Sequence, residues 1–159
     1  MAMRLFGHPV HPMLVHFPLA LWSIGSVSDC LALLGFHELW RMGSLAIGGG
    51  LILGLPAIIA GLIDYVTLRE RVLALANTHM MLMGLAWLAY LAAIFMRSGE
   101  GLVLISQPDP VPVAASLAGF ALLAVGAWFG GQMVYRFGVG VHQDIESADD
   151  NCGQSSREM

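Results

Sequence analysis

Histidines are the side chains in this sequence that are best suited to take part in chemistry. His8, His11 and His16 fall close together near the N-terminus, and His79 begins a later apolar run. Asp64 closes another apolar run and adds a carboxylate. Imidazole nitrogens ligate haem iron as well as zinc, copper and iron ions, and carboxylate oxygens ligate the bare ions. These five residues therefore predict a cofactor or metal site.

The elements that must position them are membrane-spanning helices. The chain has 159 residues, of which 57% are hydrophobic and 11% charged, and it contains no lysine. Its mean hydropathy is +0.74, whereas a soluble domain carries about a quarter charged residues. We therefore predict an all-α integral membrane four-helix bundle, and its predicted partner is the surrounding lipid bilayer. No basic stripe indicates nucleic-acid binding.

Four apolar runs are long enough to cross a bilayer, which takes roughly 20 residues. We predict one membrane domain over residues 1–142 and a polar, disordered tail over residues 143–159. The predicted spans are about 13–35, 42–66, 78–96 and 113–137.

The arginines predict the orientation, because positive charge favours the cytoplasmic side. Four flank the spans on the face that carries both termini, and two flank the other face: Arg4, Arg69, Arg71 and Arg136 against Arg41 and Arg97. We expect a multi-pass protein of the bacterial inner membrane with both termini in the cytoplasm. Asp29, near the opposite face, is interpreted as an interfacial acid close to Arg41.

The first functional hypothesis is a membrane redox protein that binds one b-type haem near the cytoplasmic face. His16 and His79 come from two helices and would supply the two axial ligands. Arg69 or Arg136 would pair with the haem propionates, and Tyr135 closes the fourth span at the same face. Electron transfer to a redox partner protein would be the activity.

Two alternatives stay open. In one, the chain binds or transports a copper, zinc or iron ion through His8, His11, His16, Asp64 and His79. In the other, it is a cofactor-free assembly or partner subunit of a membrane complex, in which the histidines only form hydrogen bonds.

Small residues recur every three or four positions along the second span and form one face. Such a face allows close helix approach, so a homo-oligomer through glycine-rich helix faces is a further expectation. No internal repeat is obvious in the sequence. The stripe consists of Gly43, Ala46, Gly50, Gly54, Ala57 and Gly61.

Three stretches carry a resemblance to a known family: GHPVHPMLVHFP at residues 7–18, AGLIDY at 60–65 and GGQMVYRFGVGV at 130–141. They resemble the bacterial DUF2231 family of predicted membrane proteins. The resemblance implies four spans and brings no settled activity. Some relatives are joined to a Rieske iron–sulfur domain, which favours electron transfer, although this chain has no Rieske ligand motif.

Overall fold

The computed structural model describes residues 4–6, 8–98 and 107–141, so the predicted tail at 143–159 lies outside the described residues. A short antiparallel pair of strands comes first, and four long helices follow. The elements are β1 (Arg4–Leu5), β2 (His8–Pro9), α1 (Val10–Leu33), α2 (Leu39–Tyr65), α3 (Glu70–Arg97) and α4 (Pro110–Phe137).

All four helices are long and apolar enough to cross a membrane, which confirms the predicted all-α membrane bundle. Many large apolar side chains are exposed on the outside of the bundle. Such a surface suits a lipid environment and not an aqueous one. All four helices begin earlier than their predicted spans. α1 begins at Val10, because Pro12 is tolerated in a first helical turn, where backbone N–H groups lack partners. α3 begins at Glu70, about two turns before Thr78.

The bundle consists of two helical hairpins. We call α1 with α2 the first hairpin and α3 with α4 the second. Helices within each hairpin pack along most of their length, whereas the two hairpins meet over a smaller interface. The first hairpin turns at Gly35, whose φ of 110° favours glycine. Since both hairpins run in the same sense, α1 and α3 begin at the same end of the bundle.

The small-residue stripe of α2 is used inside the chain. A Cβ atom at Gly43, Gly50 or Gly61 would come within 3 Å of a side chain of α1. These glycines therefore let α1 approach α2 closely. Homo-oligomerisation through the stripe stays a prediction.

Candidate functional site

His11 lies in the first turn of α1 and is held against α2. Its Nδ1 atom is 2.8 Å from the carbonyl oxygen of Ala57. Its ring packs on Gly61, where an added Cβ would lie 2.9 Å from the imidazole Cε1. The ring is half-buried. The contact with the Ala57 carbonyl therefore orients the imidazole, and Gly61, which has no side chain, leaves space for the ring.

His79 repeats this arrangement in the second hairpin. Its Nδ1 atom is 2.8 Å from the carbonyl oxygen of Gly126 in α4. Its ring packs on Gly130, where an added Cβ would lie 3.1 Å from the imidazole Cε1. The ring is half-buried as well. Each hairpin thus presents one histidine, oriented by a carbonyl of the helix behind it.

His11 and His79 lie at the same end of the bundle, where α1 and α3 both begin, and are near enough to influence each other electrostatically. A carbonyl oxygen only accepts hydrogen bonds, so each Nδ1 carries the proton and donates it. In the neutral ring the lone pair then lies on Nε2. Within the described residues neither Nε2 atom makes a hydrogen bond. Both Nε2 atoms are suited to ligate a metal.

The site differs from the expected pairing of His16 with His79. His16 is exposed on the outside of α1, because five residues along a helix turn the side chain by about 140° from the direction of His11. His8 is exposed too and lies in β2, paired with Leu5. His11 is therefore the N-terminal histidine that packs inside the bundle, at the end where His79 also lies.

The remaining predicted residues surround the same end of the bundle. Asp64 is half-buried near the end of α2, and Tyr135 is 92% exposed. Arg69 and Arg136 are exposed, and the Arg136 guanidinium lies 5.7 Å from the ring of Phe137. Within residues 4–6, 8–98 and 107–141, no three His, Cys, Asp or Glu side chains are grouped closely enough to hold a metal ion.

A buried ion pair lies at the opposite end of the bundle, and sequence reasoning missed it. Arg97, the last residue of α3, forms a salt bridge with Asp29 of α1, and both side chains have 0% exposure. Arg97 Nη1 donates to Asp29 Oδ1 at 2.8 Å. Asp29 is therefore paired with Arg97 in the core, which corrects its interpretation as an interfacial acid near Arg41.

Every helix contributes to this pair. Arg97 Nη1 also donates to Ser44 Oγ of α2 at 3.3 Å, and Ser116 Oγ of α4 donates to Asp29 Oδ2 at 2.6 Å. The Arg97 guanidinium lies 4.3 Å from the ring centroid of Trp40. Hydrogen bonds and a cation–π contact thus compensate both buried charges.

Between the two ends, two aromatic rings stack across the interface of the hairpins. Trp22 and Tyr90 have ring centroids 4.9 Å apart and an interplanar angle of 11°. The Tyr90 hydroxyl lies 2.9 Å from Ser26 Oγ. The interface is therefore apolar in the middle, with its hydroxyl satisfied, and carries ionisable groups at both ends.

Comparisons with known proteins agree with the membrane character of the chain. A family described as "Predicted membrane protein (DUF2231)" matches residues 7–143, which is most of the sequence. No curated protein and no solved structure matches the chain. The matched range includes both histidines of the site and the buried ion pair. The chain therefore belongs to the DUF2231 family of predicted membrane proteins.

Proposed function

We propose that this protein is a membrane electron-transfer protein that binds one b-type haem between its two hairpins, with His11 and His79 as axial ligands. One observation carries the proposal. Both imidazoles donate Nδ1–H to a backbone carbonyl at 2.8 Å and leave Nε2 for iron. A hydrogen bond of this kind fixes the tautomer and raises the basicity of histidines that ligate metals.

The number of histidines favours haem over a bare ion. A structural zinc site takes four protein ligands, and a catalytic one takes three. Within the described residues, no third His, Cys, Asp or Glu side chain joins His11 and His79 in a group that could hold a metal ion. A porphyrin supplies four nitrogens of its own, so two axial histidines complete the coordination of its iron. Such an iron exchanges an electron without a further ligand, which makes electron transfer the supported activity.

The surroundings of the histidines suit a flat, apolar cofactor. Each histidine packs against the other helix of its own hairpin, and the two hairpins meet over a smaller interface than the helices within a hairpin do. One turn deeper on the same helix faces are the half-buried, apolar side chains of Val15 and Met83. Opening this interface to admit a porphyrin would leave both histidine–carbonyl contacts intact, because each lies within one hairpin.

Exposed arginines at the same end fit the charged edge of a haem. Arg69 immediately precedes α3 and Arg136 lies in the last turn of α4, at the end where both histidines lie. Guanidinium groups bind carboxylates well, so these two residues would receive the propionates. In the orientation that the arginine distribution predicts, this is the cytoplasmic face of a bacterial inner membrane.

The test compares three histidine variants. The protein is produced in haem-replete cells, purified in mild detergent and examined by absorption spectroscopy with a pyridine haemochrome assay. We expect one b-type haem per chain and a six-coordinate spectrum. His11→Ala and His79→Ala should each lose the Soret band, because each removes an axial ligand. His16→Ala is the matched control on the same helix and should keep it.

Two outcomes would contradict the proposal. A colourless wild-type protein from haem-replete cells would exclude haem as its cofactor. A haem that survives His11→Ala and disappears in His16→Ala would refute the pairing of His11 with His79.

A further inference from the structure

Residues of α1 contact their counterparts on α3 at two levels of the interface between hairpins. Trp22 stacks on Tyr90, and Asp29 pairs with Arg97. Both pairs are separated by 68 residues in the sequence. His11 and His79 have the same separation and occupy corresponding places, each against the other helix of its hairpin. The first hairpin therefore presents a histidine, an aromatic ring and a charge at the positions where the second hairpin does.

The helices behind them repeat as well. The histidine of each hairpin bonds to a carbonyl 46 residues later in the first hairpin and 47 residues later in the second. Glycines one turn further along, Gly61 and Gly130, seat the two imidazoles. Gly50 and Gly119 seat the rings of Trp22 and Tyr90, respectively. The two hairpins thus repeat the same contacts at corresponding positions, which is the pattern expected of two units related by a pseudo-twofold axis along the helices.

A pseudo-twofold interface brings equivalent positions face to face. Position 29 of the first hairpin therefore meets position 97 of the second, and both side chains have 0% exposure. If a hairpin paired with a copy of itself, this place would hold two carboxylates or two guanidinium groups. Like charges buried together are strongly unfavourable, because neither charge is compensated.

We propose that the chain contains two copies of one helical hairpin, and that the Asp29–Arg97 pair selects the pairing of unlike hairpins over that of like hairpins. The residues around the Asp29–Arg97 pair accommodate it. Gly43 leaves space for the carboxylate, since a Cβ there would lie 2.7 Å from Asp29 Oδ1. Opposite charges at two equivalent buried positions favour the pairing of unlike hairpins and disfavour the pairing of like hairpins.

The experiment exchanges the two charges in the full chain. Asp29→Arg and Arg97→Asp each create a like-charged pair, and the double variant restores an opposite-charged pair with its direction reversed. The melting temperature is measured on haem-free protein in detergent. Haem plays no part in this readout, so its result is independent of the proposed function.

We expect each single variant to lower the melting temperature by about 10 °C, because every possible pairing of its hairpins then buries two like charges. The double variant should recover most of this loss. Arg41→Asp is the control, because it makes the same change of charge at an exposed position of α2 and should leave the melting temperature close to that of wild type. Single variants that behave like wild type, or a double variant no better than the singles, would overturn the proposal.

Discussion

Replacing Gly61 with alanine should damage the histidine site while leaving the fold intact. The added Cβ would lie 2.9 Å from His11 Cε1 and 3.0 Å from His11 Nδ1. Real Cβ atoms do not come that close to a ring, so the imidazole must move by several tenths of an ångström. The contact of 2.8 Å between His11 Nδ1 and the Ala57 carbonyl then lengthens or breaks.

The effect on stability is small because two terms oppose each other. Weakening one hydrogen bond costs about 0.5–1.5 kcal/mol. Alanine is more favourable than glycine inside a helix by about 0.5–1 kcal/mol. The free energy of unfolding should therefore change by less than about 1 kcal/mol. Haem affinity should fall about 10- to 100-fold, as is typical when the hydrogen bond that orients a metal ligand is lost.

The assay is a titration of haem into the haem-free protein in detergent, followed at the Soret band, with a thermal melt of the same preparation. Gly84→Ala is the matched control in α3, because a Cβ there meets no atom within 4 Å. It should leave haem affinity unchanged. A Gly61→Ala protein with the haem affinity of wild type would refute the role assigned to His11.

Two further substitutions test the packing that supports the site. Gly50→Ala puts a Cβ within 2.6 Å of the Trp22 ring and should cost roughly 1–3 kcal/mol through overpacking, measured by denaturant unfolding. Gly48→Ala, whose Cβ meets nothing within 4 Å, should not be destabilised. Asp109→Ala removes the carboxylate that accepts from Val111 N at 2.8 Å and should cost about 1 kcal/mol at the start of α4. Unchanged stability in the same measurement would show that this cap contributes nothing.

The spans and the packing stripe were predictable because their signals are local. Runs of about 20 apolar residues identify helices that suit a bilayer. The three- and four-residue spacing of the small residues from Gly43 to Gly61 identifies one helix face without any knowledge of its partner. The partner itself, α1 of the same chain, requires the tertiary structure.

Whether His11 or His16 packs inside the bundle depends on the helix face that each residue occupies in α1. His11 lies on the helix face that also carries Trp22 and Asp29, because intervals of eleven and seven residues are close to whole turns. His16 is deeper in the sequence run but lies on another face, where it is exposed. Sequence depth suggested His16 as the ligand, whereas helix phase selects His11.

The ion pair could not be predicted from the sequence immediately around each of the two charged residues. Asp29 and Arg97 are 68 residues apart, and each lies near a span end, where a charge is ordinarily solvated. A signal does exist in the spacing. A histidine is followed after eleven residues by an aromatic residue and after seven more by a charge, once from His11 and again from His79. Comparing the two runs would have indicated the repeat.

The two ends of the hairpin interface therefore have separable roles. At one end Asp29 and Arg97 satisfy each other inside the protein and hold unlike hairpins together. At the other end His11 and His79 are each anchored within their own hairpin, and the proposed haem would join them. It follows that charge variants should lose haem only together with the fold. Gly61→Ala should lose haem while the fold persists, and this contrast distinguishes assembly from cofactor binding.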